Sequence, residues 1–253
     1  RLFTQGSLGK DFSGVEVTAV MAQRAGVCLR LLLVGTLLAA IVGVSLGVWG
    51  AVRQYKASDQ IVTYLSYILL STPSFVLGVL LMIAATMFNQ ALGTQVIRFS
   101  GMYTPGVTGF WPQLQDALVH LLLPTIALTL LGAASYSRYQ RSIMLDVLGS
   151  DYIRTARAKG ATRTWALVKH GVRVALIPMS TYFAYSFGTM LAGATFLEIV
   201  FSWGGMGQYG VDAVRNSDIN AVSGTVLFAA ILVLFSSMLS EILYSALDPR
   251  VRV

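Results

Sequence analysis

The stretch Asp151-Tyr-Ile-Arg-Thr-Ala-Arg-Ala-Lys-Gly160, followed by Ala161-Thr-Arg-Thr-Trp-Ala-Leu-Val-Lys-His170, lies in a polar island between hydrophobic segments. The island covers residues 138–173 and holds 8 of the 18 Lys and Arg residues, against only two acids, Asp146 and Asp151. A cationic segment of this length beside apolar segments is well suited to lie at a membrane surface, where a soluble partner can reach it.

Two short helices joined at Gly160 are predicted within the island. Glycine suits the left-handed residue just past a helix end. Asp151 is the expected N-cap of the first helix, because its carboxylate can accept free N–H groups of the first turn. Thr162 or Thr164 is the expected cap of the second helix. The predicted structure of the island is therefore a helix–turn–helix.

The composition of the whole chain is that of an integral membrane protein. Hydrophobic residues make up 55% and charged residues 11% of the chain, whereas soluble domains carry about 25% charged residues. The mean hydropathy is +0.69. The single cysteine, Cys28, excludes an internal disulfide, and with only two histidines no metal-ligand cluster is expected. The net charge of +7 is therefore explained by membrane topology, and no nucleic-acid partner is predicted.

Five stretches have the roughly 20 apolar residues that a helix needs to cross a bilayer. They are residues 27–52, the uncharged stretch from 60 to the residues before Arg98, 117–137, 174–197 and 221–247. The predicted fold class is an all-α, multi-pass transmembrane helical bundle.

The basic residues predict the orientation of these spans, because cytoplasmic loops are enriched in Lys and Arg. The loop at residues 53–59, the island and the C-terminal tail together hold 12 basic residues, and the other side holds six. We therefore expect a cytoplasmic C-terminus and an extracytoplasmic residue 1. No signal peptide is visible, so an additional N-terminal span upstream of this sequence is expected, which gives six spans in the complete subunit.

The expected organisation has three parts. Residues 1–16 are predicted to be an extracytoplasmic segment, residues 17–247 the transmembrane domain, and residues 248–253 a cytoplasmic tail. Within the transmembrane domain, residues 140–172 form the predicted coupling loop.

Several motifs resemble those of binding-protein-dependent ABC importer permeases. The run Asp151–Gly160 with His170 and Arg173 looks like the cytoplasmic coupling loop of that family, and in particular that of the first permease subunit of the dipeptide/oligopeptide branch, which also includes nickel and glutathione importers. Further matches occur in order along the chain: Gly6-Ser-Leu-Gly-Lys-Asp-Phe-Ser13, Ser71-Thr-Pro-Ser-Phe75, His120-Leu-Leu-Leu-Pro124, Glu198-Ile-Val-Phe201 with Gly204-Gly-Met-Gly207, and Glu241-Ile-Leu-Tyr-Ser-Ala-Leu-Asp-Pro-Arg250. Two departures are Arg154, where the general motif begins with Glu, and Gly204, where Pro is usual.

The resemblance implies a type I ABC importer permease that performs no bond chemistry itself. A second homologous permease subunit would complete the pathway, two ABC ATPase subunits would bind ATP and Mg²⁺, and an extracytoplasmic substrate-binding protein would deliver the substrate. The sequence has no Gly-x-x-x-x-Gly-Lys-Ser/Thr phosphate loop. The expected location is the bacterial inner membrane, and no cofactor and no catalytic residue are expected in this chain.

The resemblance also implies two sets of site residues. The expected ATPase-coupling residues are Asp151, Tyr152, Ile153, Arg154, Ala156, Arg157, Ala158, Lys159, Gly160, Trp165 and His170. Tyr152, Ile153 and Trp165 would be the apolar anchors on the ATPase. In the outer loop, the residues expected to contact the binding protein are Glu198, Phe201, Trp203 and Gly207. The alternative for the island is a positive loop that lies on anionic lipid.

Other function classes are less well supported by the sequence. Gly43-Val-Ser-Leu-Gly47 matches a hydrolase nucleophile pattern, but that pattern needs a strand-to-helix turn and partner residues. Gly43 and Gly47 are better interpreted as small residues at a helix contact. A proton-coupled secondary transporter would carry ionisable residues in mid-membrane, and Glu241 is the main candidate. Peptide is the expected substrate, with nickel, glutathione or another small solute as alternatives.

Overall fold

The computed structural model describes residues 7–247, without the side chains of residues 163, 164, 189 and 247. Part of the predicted outer segment (1–6) and the predicted cytoplasmic tail (248–253) lie outside the described residues. Nine helices and one π-helical turn form the described chain, with one isolated bridge between Lys10 and Glu16. They are α1 (Val17–Val52), α2 (Ala57–Ser71), α3 (Ser74–Leu92), α4 (Phe110–Leu148), α5 (Asp151–Ala158), α6 (Arg163–Ala166), the π-helical turn (Leu167–Val172), α7 (Arg173–Val200), α8 (Met206–Arg215) and α9 (Ile219–Leu247).

Four of these helices are long and apolar enough to cross a membrane. A fifth span is counted when Leu167–Gly188 and Met190–Val200 are taken together. The prediction of an all-α, multi-pass membrane protein is therefore confirmed.

The boundaries of the predicted spans need three corrections. Helix α1 begins at Val17, about ten residues before the first apolar stretch. The second stretch is divided into α2 and α3 at Pro73, because proline has no N–H for a helical hydrogen bond. Helix α4 continues to Leu148, so the first eleven residues of the polar island belong to a long transmembrane helix.

The described chain divides into two compact units. The first unit contains, among the described residues, 7–36, Thr72–Leu128 and Gly188–Val233. Its buried side chains include Leu31 and Phe201. This unit carries the loop that begins after α7.

The second unit contains, among the described residues, Leu37–Ser71, Thr129–Phe187 and 234–247, and it carries the coupling loop. Helices α1 and α4 approach closely in this unit. A Cβ atom added to Gly43 would lie 2.6 Å from Tyr136 Cβ, and one added to Gly47 would lie 2.7 Å from Gln140 Cβ. The prediction that these two glycines permit a helix contact is therefore confirmed.

Candidate coupling segment and the Glu198 loop

The N-cap of helix α5 lies one residue before the predicted one. Ser150 has the extended backbone of an N-cap residue, and Asp151 is the first helical residue. The prediction of Asp151 as the N-cap is therefore wrong. Its exposed carboxylate still lies in the first turn, where the helix dipole favours a negative charge. It also forms an exposed ion pair with Arg154 at 3.5 Å.

The end of α5 has the geometry that was predicted for Gly160. This glycine has a φ of +91°, in the left-handed region. The Gly160 N–H donates to the Arg157 carbonyl oxygen at 3.0 Å, and the Ala161 N–H donates to the Ala156 carbonyl oxygen at 3.1 Å. These two bonds form a Schellman motif. These bonds therefore fix the direction in which the chain leaves α5 toward α6.

The second short helix is capped by Thr162. The Thr162 Oγ1 atom accepts a hydrogen bond from the Trp165 N–H at 3.3 Å. This confirms one of the two predicted caps; the side chain of Thr164, the other candidate, lies outside the described residues. The chain then widens into the π-helical turn, where Gly171 packs closely against Met144. Such turns often occur at functional sites.

Residues 151–172, which comprise α5, α6, their connection and the π-helical turn, are called the coupling segment below. Ile153 does not lie on the surface of this segment. Only 4% of its area is exposed, and it belongs to a buried apolar cluster. The other buried members of this cluster are Ala51, Met144, Val147, Leu167 and Ala175. The side chain of Ile153 is therefore covered by this chain itself, and its role as an anchor on a partner stays a prediction. We call this cluster the Ile153 seat.

The exposed side of the segment contains the other two predicted aromatic anchors. Tyr152 is 42% and Trp165 is 47% exposed. They line an open cleft of about 680 Å³. The other lining residues are Thr155, Ala156, Lys159, Gly160, Ala161, Thr162 and His170. The structure thus brings six of the eleven predicted coupling residues to one concave surface.

The cleft has a cationic rim. The Lys169 Nζ atom lies 4.4 Å from the centroid of the Trp165 ring, and the His170 ring meets that ring edge-on at 5.5 Å. Arg157 and Ala158 are exposed on α5 outside the cleft. An aromatic floor beside positive charges is suited to a protein partner that carries acidic and apolar groups.

An ion pair that sequence reasoning missed lies in the same unit. The Arg141 Nε and Nη2 atoms donate to the two carboxylate oxygens of Asp59, each at 2.7 Å. Asp59 is only 2% exposed. The hydrogen bond from Arg141 holds the pKa of Asp59 below its usual range, and the Tyr55 N–H acts in the same direction. The signal in the sequence was a lone acid beside an apolar stretch, but its partner is 82 residues away.

In the loop after α7, the predicted contact residues are largely covered. Glu198, Phe201 and Trp203 are buried, and Gly207 is half-buried. The Glu198 Oε2 atom accepts the Gly207 N–H at 2.8 Å and the Gln208 N–H at 3.1 Å. The side chains of Glu198, Phe201 and Trp203 are therefore covered by this chain itself, and their contact with a binding protein stays a prediction. Glu198 holds the start of α8 in place.

The loop between α3 and α4 is held by a second buried carboxylate. Asp116 is bonded to Arg98 and to both the N–H and the hydroxyl of Thr104. Tyr103 and Trp111, at this end of the first unit, are 61% and 67% exposed. These two side chains present an exposed aromatic surface at this loop.

The residues behind the competing function classes do not form sites in the described chain. Ser45 lies within helix α1, and its hydroxyl donates to the Ile41 carbonyl oxygen at 2.6 Å. A nucleophile elbow needs a strand-to-helix turn, which this position lacks. Within residues 7–247, no group of three His, Cys, Asp or Glu residues is placed to hold a metal ion. Glu241 is exposed on α9.

The comparisons with known proteins agree with this architecture. The family described as "Binding-protein-dependent transport system inner membrane component" matches residues 43–253. The chain belongs to this family. It is a multi-pass inner-membrane transport permease, and a transport permease is not itself an enzyme.

Individual relatives cover nearly the whole chain. It is 48% identical over 250 residues to "Oligopeptide transport system permease protein OppB" of Mycobacterium tuberculosis, covering 98% of this chain and 77% of that protein. It is 35% identical over 262 residues to "Dipeptide transport system permease protein DppB" of Escherichia coli, with the same two coverages.

Among solved structures, the fold resembles a chain in "Inward facing conformations of the MetNI methionine ABC transporter", with a TM-score of 0.69. The match has 18% identity and covers 91% of this chain and 97% of that one. At this identity the likeness concerns the fold, and it agrees with the predicted type I ABC importer permease.

Proposed function

We propose that this chain is a permease subunit that imports dipeptides and oligopeptides across the bacterial inner membrane, driven by ATP. The observation that carries the proposal is the 48% identity to an oligopeptide permease along 98% of the chain. Translocation would occur by alternating access, with the C-terminus in the cytoplasm. No observation in the described residues favours nickel, glutathione or proton-coupled transport over peptide.

The chain would work in a complex. Its partners are a second homologous permease subunit, two ABC ATPase subunits that bind ATP and Mg²⁺, and an extracytoplasmic substrate-binding protein. Several large apolar side chains of α2, α3 and α9 are exposed in the isolated chain, which supports helix contacts with another permease or with lipid. The exposed Tyr103 and Trp111 are candidate contacts of the binding protein.

The cleft at α5 is the proposed docking site of the ATPase. Tyr152 and Trp165 would enter the apolar part of the partner's groove, and Arg154, Arg157 and Lys159 would face its acidic groups. Ile153 would act on the other side of α5, where its seat connects the segment to the rest of the second unit. A docked ATPase that moves as a rigid body would thereby displace helices of this permease.

The test is ATP-driven uptake of labelled peptide into proteoliposomes that contain both permeases, both ATPases and binding protein. Ala158→Glu places a bulky acid on the exposed side of α5. It should abolish uptake and weaken the binding of the ATPase subunits to the permease. The matched control is Ser142→Glu, which adds the same acid at another exposed position of the island and should leave uptake near the wild-type rate. The lipid-surface alternative predicts the same small effect for both variants. Uptake of nickel or glutathione without peptide uptake would overturn the proposed substrate, and transport without ATPases would overturn the importer itself.

A further inference from the structure

The ion pair between Asp59 and Arg141 closes a junction of three helices. Asp59 lies in the first turn of α2, and Arg141 lies near the end of α4. Both oxygens of the carboxylate are engaged by the guanidinium group, in the planar two-bond arrangement that fixes orientation as well as distance. The carboxylate is buried, whereas about a quarter of the Arg141 side chain is exposed.

Helix α1 supplies the third side of the junction. A Cβ atom added to Gly50 would lie 3.0 Å from Asp59 Oδ1 and 3.6 Å from Arg141 Cδ. One turn earlier, Gly47 lies directly against Ser137 and Gln140 of α4. Because glycine occupies both positions, α1 passes against the ion pair with no room for a side chain between them.

The corner between α1 and α2 is fixed by the same carboxylate. Tyr55 has a φ of +65°, a left-handed conformation that costs energy for any residue with a Cβ atom. Its N–H donates to Asp59 Oδ2 at 3.0 Å. The strained corner is thus held by the group that also binds Arg141.

The junction adjoins the Ile153 seat. Ala51 of α1 and Met144 of α4 are members of that seat. Ala51 follows Gly50 directly, and Met144 is three residues, about one helical turn, after Arg141. The Ile153 seat therefore contacts α1 and α4 immediately beside the ion pair. The ion pair in turn connects α4 to α2.

We propose that Asp59 and Arg141 are positioning residues that transmit the displacement of the coupling segment from α4 into α1 and α2. This inference rests on the proposed function, because it assigns a role within ATP-driven import. Neither residue lines the cleft proposed for the ATPase. They act by keeping the three helix ends together when α5 is displaced, so that the energy of ATP hydrolysis reaches α2 as well as the helices that directly flank the segment.

The experiment measures the number of ATP molecules hydrolysed per peptide imported by the reconstituted complex. Asp59→Asn and Arg141→Gln each break the pair, and Asp146→Asn is the control, because Asp146 is an exposed acid on the same end of α4. We expect the two junction variants to hydrolyse ATP but to need at least about tenfold more ATP per peptide, while the control keeps the wild-type ratio. An unchanged ratio in assembled junction variants would overturn the proposal.

A double variant separates positioning from folding. Each single substitution leaves a charged group of the junction without its partner, which can impair assembly by itself. The combination of Asp59→Asn with Arg141→Gln removes both charges and leaves two neutral amide side chains in their place, so the complex should assemble while its ATP-to-peptide ratio stays raised. A wild-type ratio in the double variant, or failure of the double variant to assemble, would overturn the positioning role.

Failure of the positioning role and failure of the proposed function give different results in this experiment. If the wild-type complex imports no peptide with ATP, the proposed function fails. If the wild-type complex imports peptide and the junction variants remain tightly coupled, only the positioning role fails.

Discussion

The Glu198 carboxylate accepts the Gly207 N–H at 2.8 Å, at the start of helix α8. Glu198 is fully buried, and the Gln208 N–H donates to the same oxygen at 3.1 Å. The first N–H groups of a helix have no partner within the helix, so an oxygen acceptor from outside the helix can satisfy them. Glu198 therefore acts as the cap of α8 from the neighbouring helix α7.

Replacement of Glu198 should destabilise the loop that precedes α8. We expect Glu198→Ala to lower the stability of the complex by about 1–3 kcal/mol, because two hydrogen bonds to a buried carboxyl group are lost. Glu198→Gln keeps an acceptor and should cost less. Thermal unfolding of the detergent-purified complex measures the difference. Equal unfolding temperatures for wild type and Glu198→Ala would show that the cap contributes nothing.

The close approach at Gly205 gives a second prediction. A Cβ atom at this position would overlap the Glu198 carboxyl group, so no side chain fits without a shift. Gly205→Ala should therefore displace Glu198 or the start of α8, with a cost of about 1–3 kcal/mol as for other overpacked sites. Gly193→Ala is the matched control in the same unit, because nothing lies within 4 Å of its added Cβ. The membrane level and unfolding temperature of the two variants should differ, with only Gly205→Ala impaired.

The burial of the outer-loop aromatic residues could not be predicted from the sequence. The family resemblance led us to expect Phe201 and Trp203 at a contact with the binding protein, and that contact stays a prediction. Aromatic side chains are equally suited to bury their area within the chain. The Trp203 ring is buried, and its Nε1–H donates to the Val27 carbonyl oxygen at 3.4 Å. Val27 is 176 residues away in sequence, so no local pattern could have indicated this contact.

Local chemistry was the predictable part of the coupling segment. The left-handed Gly160 and the Thr162 cap depend on residues within one helical turn, and both predictions were confirmed. The burial of Ile153 depends on α1 and α4, and therefore could not be predicted from the segment. The helix ends could not be predicted either. Hydropathy indicates only the apolar part of a helix, whereas α4 continues as a polar helix to Leu148.

The connection after α5 gives a third prediction. Gly160 has a φ of +91°, whereas proline fixes φ near −65° and has no N–H to donate. Gly160→Pro should remove the bond to the Arg157 carbonyl and redirect the second short helix. Asn tolerates the left-handed region better than other residues, so Gly160→Asn is the matched variant. We expect uptake to be lost in the proline variant and largely retained in the asparagine variant, at similar membrane levels. Similar uptake by both variants would show that the direction of this turn has no role in coupling.

The last prediction concerns the stability of the Asp59–Arg141 junction in acid. Because Arg141 lowers the pKa of Asp59 in the folded protein, the carboxylate binds a proton less readily than in the unfolded chain, where the pKa is about 3.9. Its contribution to stability is therefore fully present above about pH 4. It is lost as the pH falls through the lowered folded-state pKa.

Asp59→Asn removes this titration, so it should have a lower unfolding temperature than wild type at pH 7. The gap should close as the pH falls below about 4, since the wild-type carboxylate then becomes protonated and resembles the amide. The measurement is the unfolding temperature of both purified complexes across this range, with Asp146→Asn as the exposed control that should follow the wild type throughout. A gap that stays constant from neutral to acid pH would show that the charge of Asp59 does not stabilise the junction.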